Sequence, residues 1–347
     1  MGAPRLERLI EPAALDSLIS AAAALSPGLE AWVADGDGAE LARAGSAASG
    51  TATSTRPLVV DGAAIGTIAV RSTDEAAARS IAELVGRAIE LATIAGQRRA
   101  LDEELSIGRR IQISLMPRRF PTIDGWEIAS AYEPAREVGG DFYDVFRLRD
   151  RGDCIGLVVA DVTGKGIPAA ILMADTRGLI HAAADHGDDP ADTLARVNRI
   201  LVSERASGLF VTVAHARLDT RTGRLILARA GHDPLHVLRA DARLEVLEPA
   251  GRLIGMVADL DLTSLELSLE PGDAFVGHTD GVTEARSQDG SFYGEERFRA
   301  LLTGLAGTTA AGIVDAVVAD VASFRGRAEP SDDLTLLVVR RQPVAAG

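Results

Sequence analysis

The sequence predicts an α+β protein, and three observations predict it. After Pro121, apolar residues alternate with polar ones in eight short runs, the period of half-buried strands. Short turn sequences such as Thr220-Arg-Thr-Gly223 join consecutive runs, which implies antiparallel pairing. Two pairs of helical segments accompany the strands, and together they suggest a layered domain of about 220 residues.

Each element has its own signal. Residues 12–26 read as a short Ala-rich helix. Strand-like pieces at Leu29–Ala34 and Glu40–Ala44 flank Asp35-Gly-Asp-Gly38, a hairpin turn sequence. Residues 45–54, rich in Gly, Ser, Thr and Ala, read as a loop, and Arg56–Val60 with Ala64–Val70 form a second hairpin around Asp61-Gly62. Residues 74–95 are helical, with Ile81, Leu84, Val85, Ala88 and Leu91 on one face. Helix, hairpin, loop, hairpin, helix outlines a small α/β sensor domain over residues 1–95. By element order it resembles an abbreviated GAF domain; a dimerisation module without ligand fits the same outline.

From Leu91 onward, Leu91, Ile94, Leu101, Leu105 and Leu115 fit alternating spacings of three and four, with Arg98, Gly108 and Gln112 in the remaining core slots. This pattern predicts a weak two-stranded coiled coil, a helical linker over residues 96–119 that Pro117 stops. An ordinary packed helix has the same look. The strands of the region 120–341 are expected at Glu127–Tyr132, Phe142–Leu148, Cys154–Asp161, Val211–Asp219, Arg224–Ala230, His236–Arg239, Asp273–Thr279 and Thr335–Arg340. Its helices are expected at Pro168–Asp185, Pro190–Ala206, Glu295–Thr303 and Thr309–Phe324.

Composition excludes several classes of function. Acidic residues outnumber basic ones 50 to 36, a net charge of −14 that repels nucleic acid and anionic lipid. Cys154 is the single cysteine, so no internal disulfide forms. The first residues lack the apolar stretch of a signal peptide, and no segment reaches the ~18 apolar residues of a membrane span. A cytoplasmic protein is expected. Lys165 is the only lysine, and the Ala, Gly and Arg content reflects codon bias.

The chemistry lies in four aspartate clusters at strand ends: Gly139-Gly-Asp141-Phe-Tyr-Asp144, Ala160-Asp161-Val-Thr-Gly-Lys-Gly166, His278-Thr-Asp280-Gly281 and Ser331-Asp332-Asp333-Leu-Thr335. A carboxylate closing a buried strand is costly unless it is paired or binds a metal. No basic set lies nearby in sequence. Oxygen ligands without His or Cys spacing favour hard cations such as Mg²⁺ or Mn²⁺. Convergence from distant segments suits two cations ~3.5–4 Å apart that activate a water for in-line attack on phosphorus. Any one of these aspartates alone reads as a turn or a helix cap.

Residues 115–340 resemble the metal-dependent protein phosphatases of type 2C, in the bacterial SpoIIE/RsbU-like branch. The matching segments are Leu115-Met-Pro117, Glu137–Asp144, Val159–Gly166, Leu209–Thr212, Ala230-Gly-His232, Thr279-Asp-Gly281 and Ser331–Thr335. The resemblance implies a central β-sandwich flanked by helical pairs, two Mn²⁺ or Mg²⁺ ions, and hydrolysis of phosphoserine or phosphothreonine without a covalent phospho-enzyme. It implies that Asp161 bridges both metals, with the carbonyl of Val162 completing one shell. It likewise implies that Asp280 and Asp332 bind the first metal and Asp141 the second, directly or through water. Asp333 stands where eukaryotic relatives often have Asn and ranks below Asp332. Asp144 is expected as an outer-shell partner or a strand-end cap.

Arg136 is the candidate for phosphate, against a plain solvated role, and His232 is expected to shape a loop near the site. The family motif continues after His232 with Asn, where this chain has Asp233. The resemblance further implies a phosphorylated STAS-type anti-sigma-factor antagonist as substrate in a partner-switching pathway. It also implies a homodimer through residues 1–119 and an activating protein or small ligand at residues 1–95.

Three rival functions meet contrary residues. Gly164-Lys-Gly166 fails as a nucleotide loop, because Val159 and Gly166 stand where that motif needs Gly and Ser/Thr. Gly-Gly-Asp141 is followed by Phe-Tyr where cyclic-dinucleotide synthesis needs an acidic residue and Phe. A non-catalytic adaptor that binds a phosphoprotein and signals through the linker is the serious rival, and intact Asp141, Asp161, Asp280 and Asp332 argue against it.

Overall fold

A computed structural model describes residues 6, 9–25, 28–47, 49, 51–117, 119–149, 152–185, 189–204 and 208–343. Positions 26 and 206, where the sequence pattern ends two helices, lie outside the described residues. The chain divides into two compact units, Met1–Leu105 and Ser106–Gly347.

The first unit is two hairpins and their helical cover. β1 (Glu30–Asp35) and β2 (Glu40–Gly45) join at the expected turn, where the Asp35 carboxylate accepts the N–H groups of Asp37 and Ala39. β3 (Ala52–Val60) and β4 (Ala63–Ser72) meet at Asp61-Gly62, both at positive φ, as a two-residue hairpin turn requires. The four strands form an antiparallel sheet in the order β2-β1-β4-β3. Residues 52–54, expected as loop, instead pair with the end of β4. Ladder bonds to an existing strand override the weak propensity of a Ser/Thr/Ala run. α1 (Pro12–Ala23) and the first turns of α2 (Glu75–Leu115) close a core that contains Leu15, Ile19, Val33, Ile68, Val85 and Ile89.

α2 is continuous for 41 residues, so the expected linker is the far end of the same helix. Along it Leu91 is 68% and Leu101 54% exposed, while Gln112 is only 4% exposed. Within one chain the coiled-coil seam is therefore uncovered at Leu91, Ile94 and Leu101, half-covered at Leu105 and Leu115, and buried at the polar Gln112.

The second unit stacks two antiparallel sheets. One has the order β11-β10-β13-β14-β5, from β5 (Trp126–Glu133), β10 (Leu235–Leu238), β11 (Leu244–Leu247), β13 (Ala274–His278) and β14 (Leu334–Arg341). The other has the order β12-β9-β8-β7-β6, from β6 (Phe142–Arg147), β7 (Cys154–Val162), β8 (Val211–Asp219), β9 (Arg224–Ala230) and β12 (Ser264–Ser268). The sheets meet face to face: a Cβ on Gly277 of β13 would lie 2.9 Å from the Val159 side chain of β7. Phe275, Leu337 and Val339 share this core with Leu157, Val159 and Val213.

α3 (Ile167–Ala184) and α4 (Pro190–Glu204) cover the outer face of the β7 sheet. α6 (Glu295–Gly304) and α7 (Ala310–Arg325) cover the other, over Ala274, Val276, Leu336 and Val338. Covered on both faces, β7 and β14 read as nearly continuous apolar runs. The short strands β11 and β12 and the single turn α5 (Asp280–Thr283) lack a sequence pattern long enough to announce them.

Candidate active site

Strand alternation decides which side chains can meet. Val159 points between the sheets, so Asp161, two residues on, points there too, at the end of β7. By the same period Phe275 and Gly277 of β13 place Thr279 between the sheets, and Leu337 and Val339 of β14 place Thr335 and Asp333 there. β6 starts where antiparallel β7 ends, with Phe142 opposite Ala160, so Asp141 arrives at the same edge. Four strand ends thus bring their carboxylates to one end of the sandwich.

The groups there are tightly engaged. Asp141 is 2% exposed, and its Oδ2 accepts the hydroxyls of Thr279 at 2.6 Å and Thr335 at 2.9 Å. Burial, then the charges of Asp161 and Asp333, push its pKa well above the carboxylate range. Asp161 hydrogen-bonds the Asp141 carboxyl; burial first, offset in part by that bond, leaves it raised to about 6. Asp280 opens α5, and burial with the charges of Asp161, Asp332 and Asp233 raises it to about 7. Three carboxyls crowded out of water hold protons where they would otherwise ionise.

Asp332 differs. Its Oδ2 accepts the Lys165 ammonium at 2.9 Å, and Lys165 also donates to the Ser331 carbonyl at 2.7 Å. The lone lysine is therefore the cation of this edge, a role the Gly-Lys-Gly sequence did not announce. Among the described residues no three His, Cys, Asp or Glu side chains already converge as ligands of one metal ion. The donor set nevertheless suits hard cations: it is all oxygen and crowded, with Asp141 buried, Asp161 and Asp280 half-buried and the Lys165 ammonium against Asp332.

The remaining candidates separate by geometry. Asp333 is 6% exposed, with Oδ1 accepting Ala135 N–H and Oδ2 accepting Gly140 N–H, both at 2.8 Å. Its carboxylate thus holds the Gly139-Gly140 loop from 193 residues away. That loop tolerates no side chain: a Cβ on Gly139 would lie 2.1 Å from Asp333 Oδ2, and one on Gly140 2.5 Å from the Val162 carbonyl. The Val162 carbonyl thus lies against Gly140, beside Asp141. Arg136 is exposed on the loop before Gly139.

Two candidates lie away from the cluster. Asp144, three residues after Asp141, has the opposite parity and projects to the outer face. There it meets Arg177 and His181 of α3, each at 2.6 Å. It ties α3 to β6. His232 is 2% exposed; one ring nitrogen meets the Thr212 hydroxyl and the other the His278 carbonyl, both at 3.0 Å. With both nitrogens engaged and its pKa lowered to about 3 by burial, it is an uncharged strut and offers nothing to a substrate.

Gln112 is the residue that sequence reading missed. Its side-chain amide donates to the Gly139 carbonyl at 2.6 Å and accepts the Gly139 N–H at 3.0 Å. This reciprocal clasp joins α2 to the loop that carries Asp141. A polar residue in an otherwise apolar register was the available signal.

Comparison with known proteins agrees with this geometry. The family model described as Stage II sporulation protein E (SpoIIE) matches residues 151–342. Protein IcfG of Synechocystis sp. strain PCC 6803 is 30% identical over 266 residues, which are 69% of this chain and 41% of IcfG. Phosphoserine phosphatase RsbU of Bacillus subtilis is 28% identical over 251 residues, 72% of this chain and 73% of RsbU. Among solved structures, the SiaA-PP2C domain of Pseudomonas aeruginosa superposes with a TM-score of 0.64 at 26% identity, covering 71% of this chain and 99% of that domain. The two-sheet sandwich is thus the PP2C fold, and with the family model spanning more than half of its length the chain belongs to the SpoIIE family.

Proposed function

We propose that this chain is a metal-dependent protein serine/threonine phosphatase whose site is the Asp141–Asp161–Asp280–Asp332 edge. The observation that carries the reading is the crowding of Asp141, Asp161 and Asp280 at one edge, where burial first and then their mutual charge push their pKa values up, a cost that divalent cations would relieve. Asp161 would face both ions together with the Val162 carbonyl, Asp280 and Asp332 the first, and Asp141 the second. When bound, two Mn²⁺ or Mg²⁺ ions supply Lewis-acid activation of water and neutralise phosphoryl charge.

The chain's own residues do the rest. Thr279 and Thr335 donate to one oxygen of Asp141 and so fix its rotamer. Asp333 and Gln112 hold the glycine loop in place, which makes Asp333 a positioning residue and not a ligand. Lys165, released from Asp332, is placed at the mouth of the site to meet a phosphate, and exposed Arg136 is a second cation for that purpose.

A phosphoserine or phosphothreonine on a STAS-type anti-sigma-factor antagonist is the proposed substrate, by family membership and by likeness to a phosphoserine phosphatase. Residues 1–95 are proposed as a GAF-like sensor or dimerisation domain, and 96–119 as the linker to a phosphatase domain over 120–341. Exposed Leu91, Ile94 and Leu101 on α2 support self-association through 1–119. Among the described residues no helix is long and apolar enough to cross a membrane.

The test is hydrolysis of p-nitrophenyl phosphate with and without Mn²⁺ by the parent chain, Asp161→Asn and Asp280→Asn. Manganese-dependent turnover that both variants lose is the expected result. Turnover indifferent to Mn²⁺ or to these substitutions would refute the reading. Absence of both turnover and calorimetric Mn²⁺ binding in the parent would favour the adaptor.

A further inference from the structure

A second group of chemistry-bearing side chains lies on the opposite face of the β13 sheet, under α6. In the β10–β13 ladder His236 is opposite Val276, so His278 is its diagonal neighbour on the same face, toward α6. Both imidazoles are fully buried, with ring centroids 5.6 Å apart, and both pack edge-on to Phe298.

Three of their four ring nitrogens, both of His236 and Nε2 of His278, have no hydrogen-bond partner. His278 Nδ1 lies 3.1 Å from the Thr279 carbonyl, which can only accept, so Nδ1 carries a proton and donates it. His278 Nε2 faces Glu295 Oε1 at 3.9 Å, and His236 Nε2 faces Oε2 of the same carboxylate at 4.0 Å, both beyond hydrogen-bond reach. Unpartnered ring nitrogens thus face a carboxylate with no hydrogen bond between them, and a positive charge placed there would engage both. Burial keeps His236 neutral, with its pKa lowered to about 3, so its own proton does not supply that charge.

We propose that His236, His278 and Glu295 form a binding site for a borderline divalent cation of the Zn²⁺ class, separate from the aspartate edge. Two imidazoles and one carboxylate are the donor set such ions prefer, whereas Mg²⁺ and Mn²⁺ favour oxygen. The supporting contacts match a metal site. The Thr279 carbonyl fixes the His278 tautomer, and Arg299 Nε, 3.1 Å from Oε2, orients the carboxylate.

Two ligands of one zinc stand roughly 3.3 Å apart, so the carboxylate must approach by roughly 0.6 Å. Glu295 opens α6 and is partly exposed, so its side chain has room for that movement. An ion there would pin α6 to β10 and β13, two residues ahead of Asp280.

The test is titration of the full metal-free chain with Co²⁺ and then Zn²⁺. Bound through two imidazoles in a four- or five-coordinate site, Co²⁺ absorbs visible light far more strongly than in an all-oxygen octahedral site. The expected result is one such Co²⁺ per chain, displaced by Zn²⁺ and unaffected by Asp161→Asn. Glu295→Gln, at a partly exposed helix end where folding is not at risk, should weaken it at least tenfold, and His236→Asn should abolish it. No such band in the parent, or a band that Glu295→Gln leaves unchanged, overturns the proposal. Since Asp161→Asn silences only the aspartate edge, failure here and failure of the phosphatase reading are separable.

Discussion

The clasp between Gln112 and Gly139 allows a prediction worked from two distances. Replacing Gln112 by Ala removes both hydrogen bonds and strands the Gly139 N–H and carbonyl in a buried loop. Each unpaired buried backbone group costs about 1–3 kcal/mol, so the pair costs about 2–4 kcal/mol once water entering the vacated space recovers part of the loss. Gln112→Met fills the same space without either bond, and it separates hydrogen bonding from packing. The chain has two tryptophans, Trp32 in the first unit and Trp126 in the second. In a Trp32→Phe background, urea unfolding followed by fluorescence therefore reports the second unit alone. Both variants should unfold at lower urea, by about 2 kcal/mol or more for Gln112→Met. Because the loop carries Asp141, Mn²⁺ affinity should fall about tenfold for each 1.4 kcal/mol that appears as loop disorder. A Gln112→Met protein within about 0.5 kcal/mol of its parent, with unchanged Mn²⁺ affinity, would refute the idea that this clasp holds the site.

Three further outcomes follow from the same geometry. Asp161 and Asp280 have folded pKa values of about 6 and about 7, above the unfolded 3.8, so folding takes up protons. Their contribution is fully present at low pH and is lost as pH rises from about 4 to 7, about 2 kcal/mol of it from Asp161. Melting temperatures measured against pH should show this decline in EDTA, and it should flatten in excess Mn²⁺; a flat profile in EDTA would contradict it. Asp280→Asn should raise the melting temperature of the metal-free chain at pH 8 while it removes turnover, since it deletes a repelling charge; scanning calorimetry on the same samples checks this. Arg177→Ala strips buried Asp144 of its ion pair and should destabilise the second unit by about 3 kcal/mol in urea unfolding. Mn²⁺ affinity should hardly change, because Asp144 and Asp141 lie on opposite faces of β6; a large loss of affinity would show that the two faces are coupled.

The sequence by itself determined most of the strands, the helical pairs and the positions of the carboxylates at strand ends. These rest on local physics: a side-chain period of two, turn residues, and the cost of ending an apolar run on a charge. The same period, carried one step further, separates Asp144 from Asp141, because three residues is an odd step. The tertiary structure alone decided the partners. Asp333 reaches a loop 193 residues away, Thr279 and Thr335 meet on one oxygen of Asp141, and Lys165 crosses 167 residues to Asp332. Gln112 was legible only as a polar gap in a heptad, since its partner is a backbone amide with no signature in sequence. The histidines 236 and 278 belong with these, for their shared face exists only once β10 and β13 are in register. Local patterns say which face a side chain takes; only sheet pairing over long separations says what it finds there.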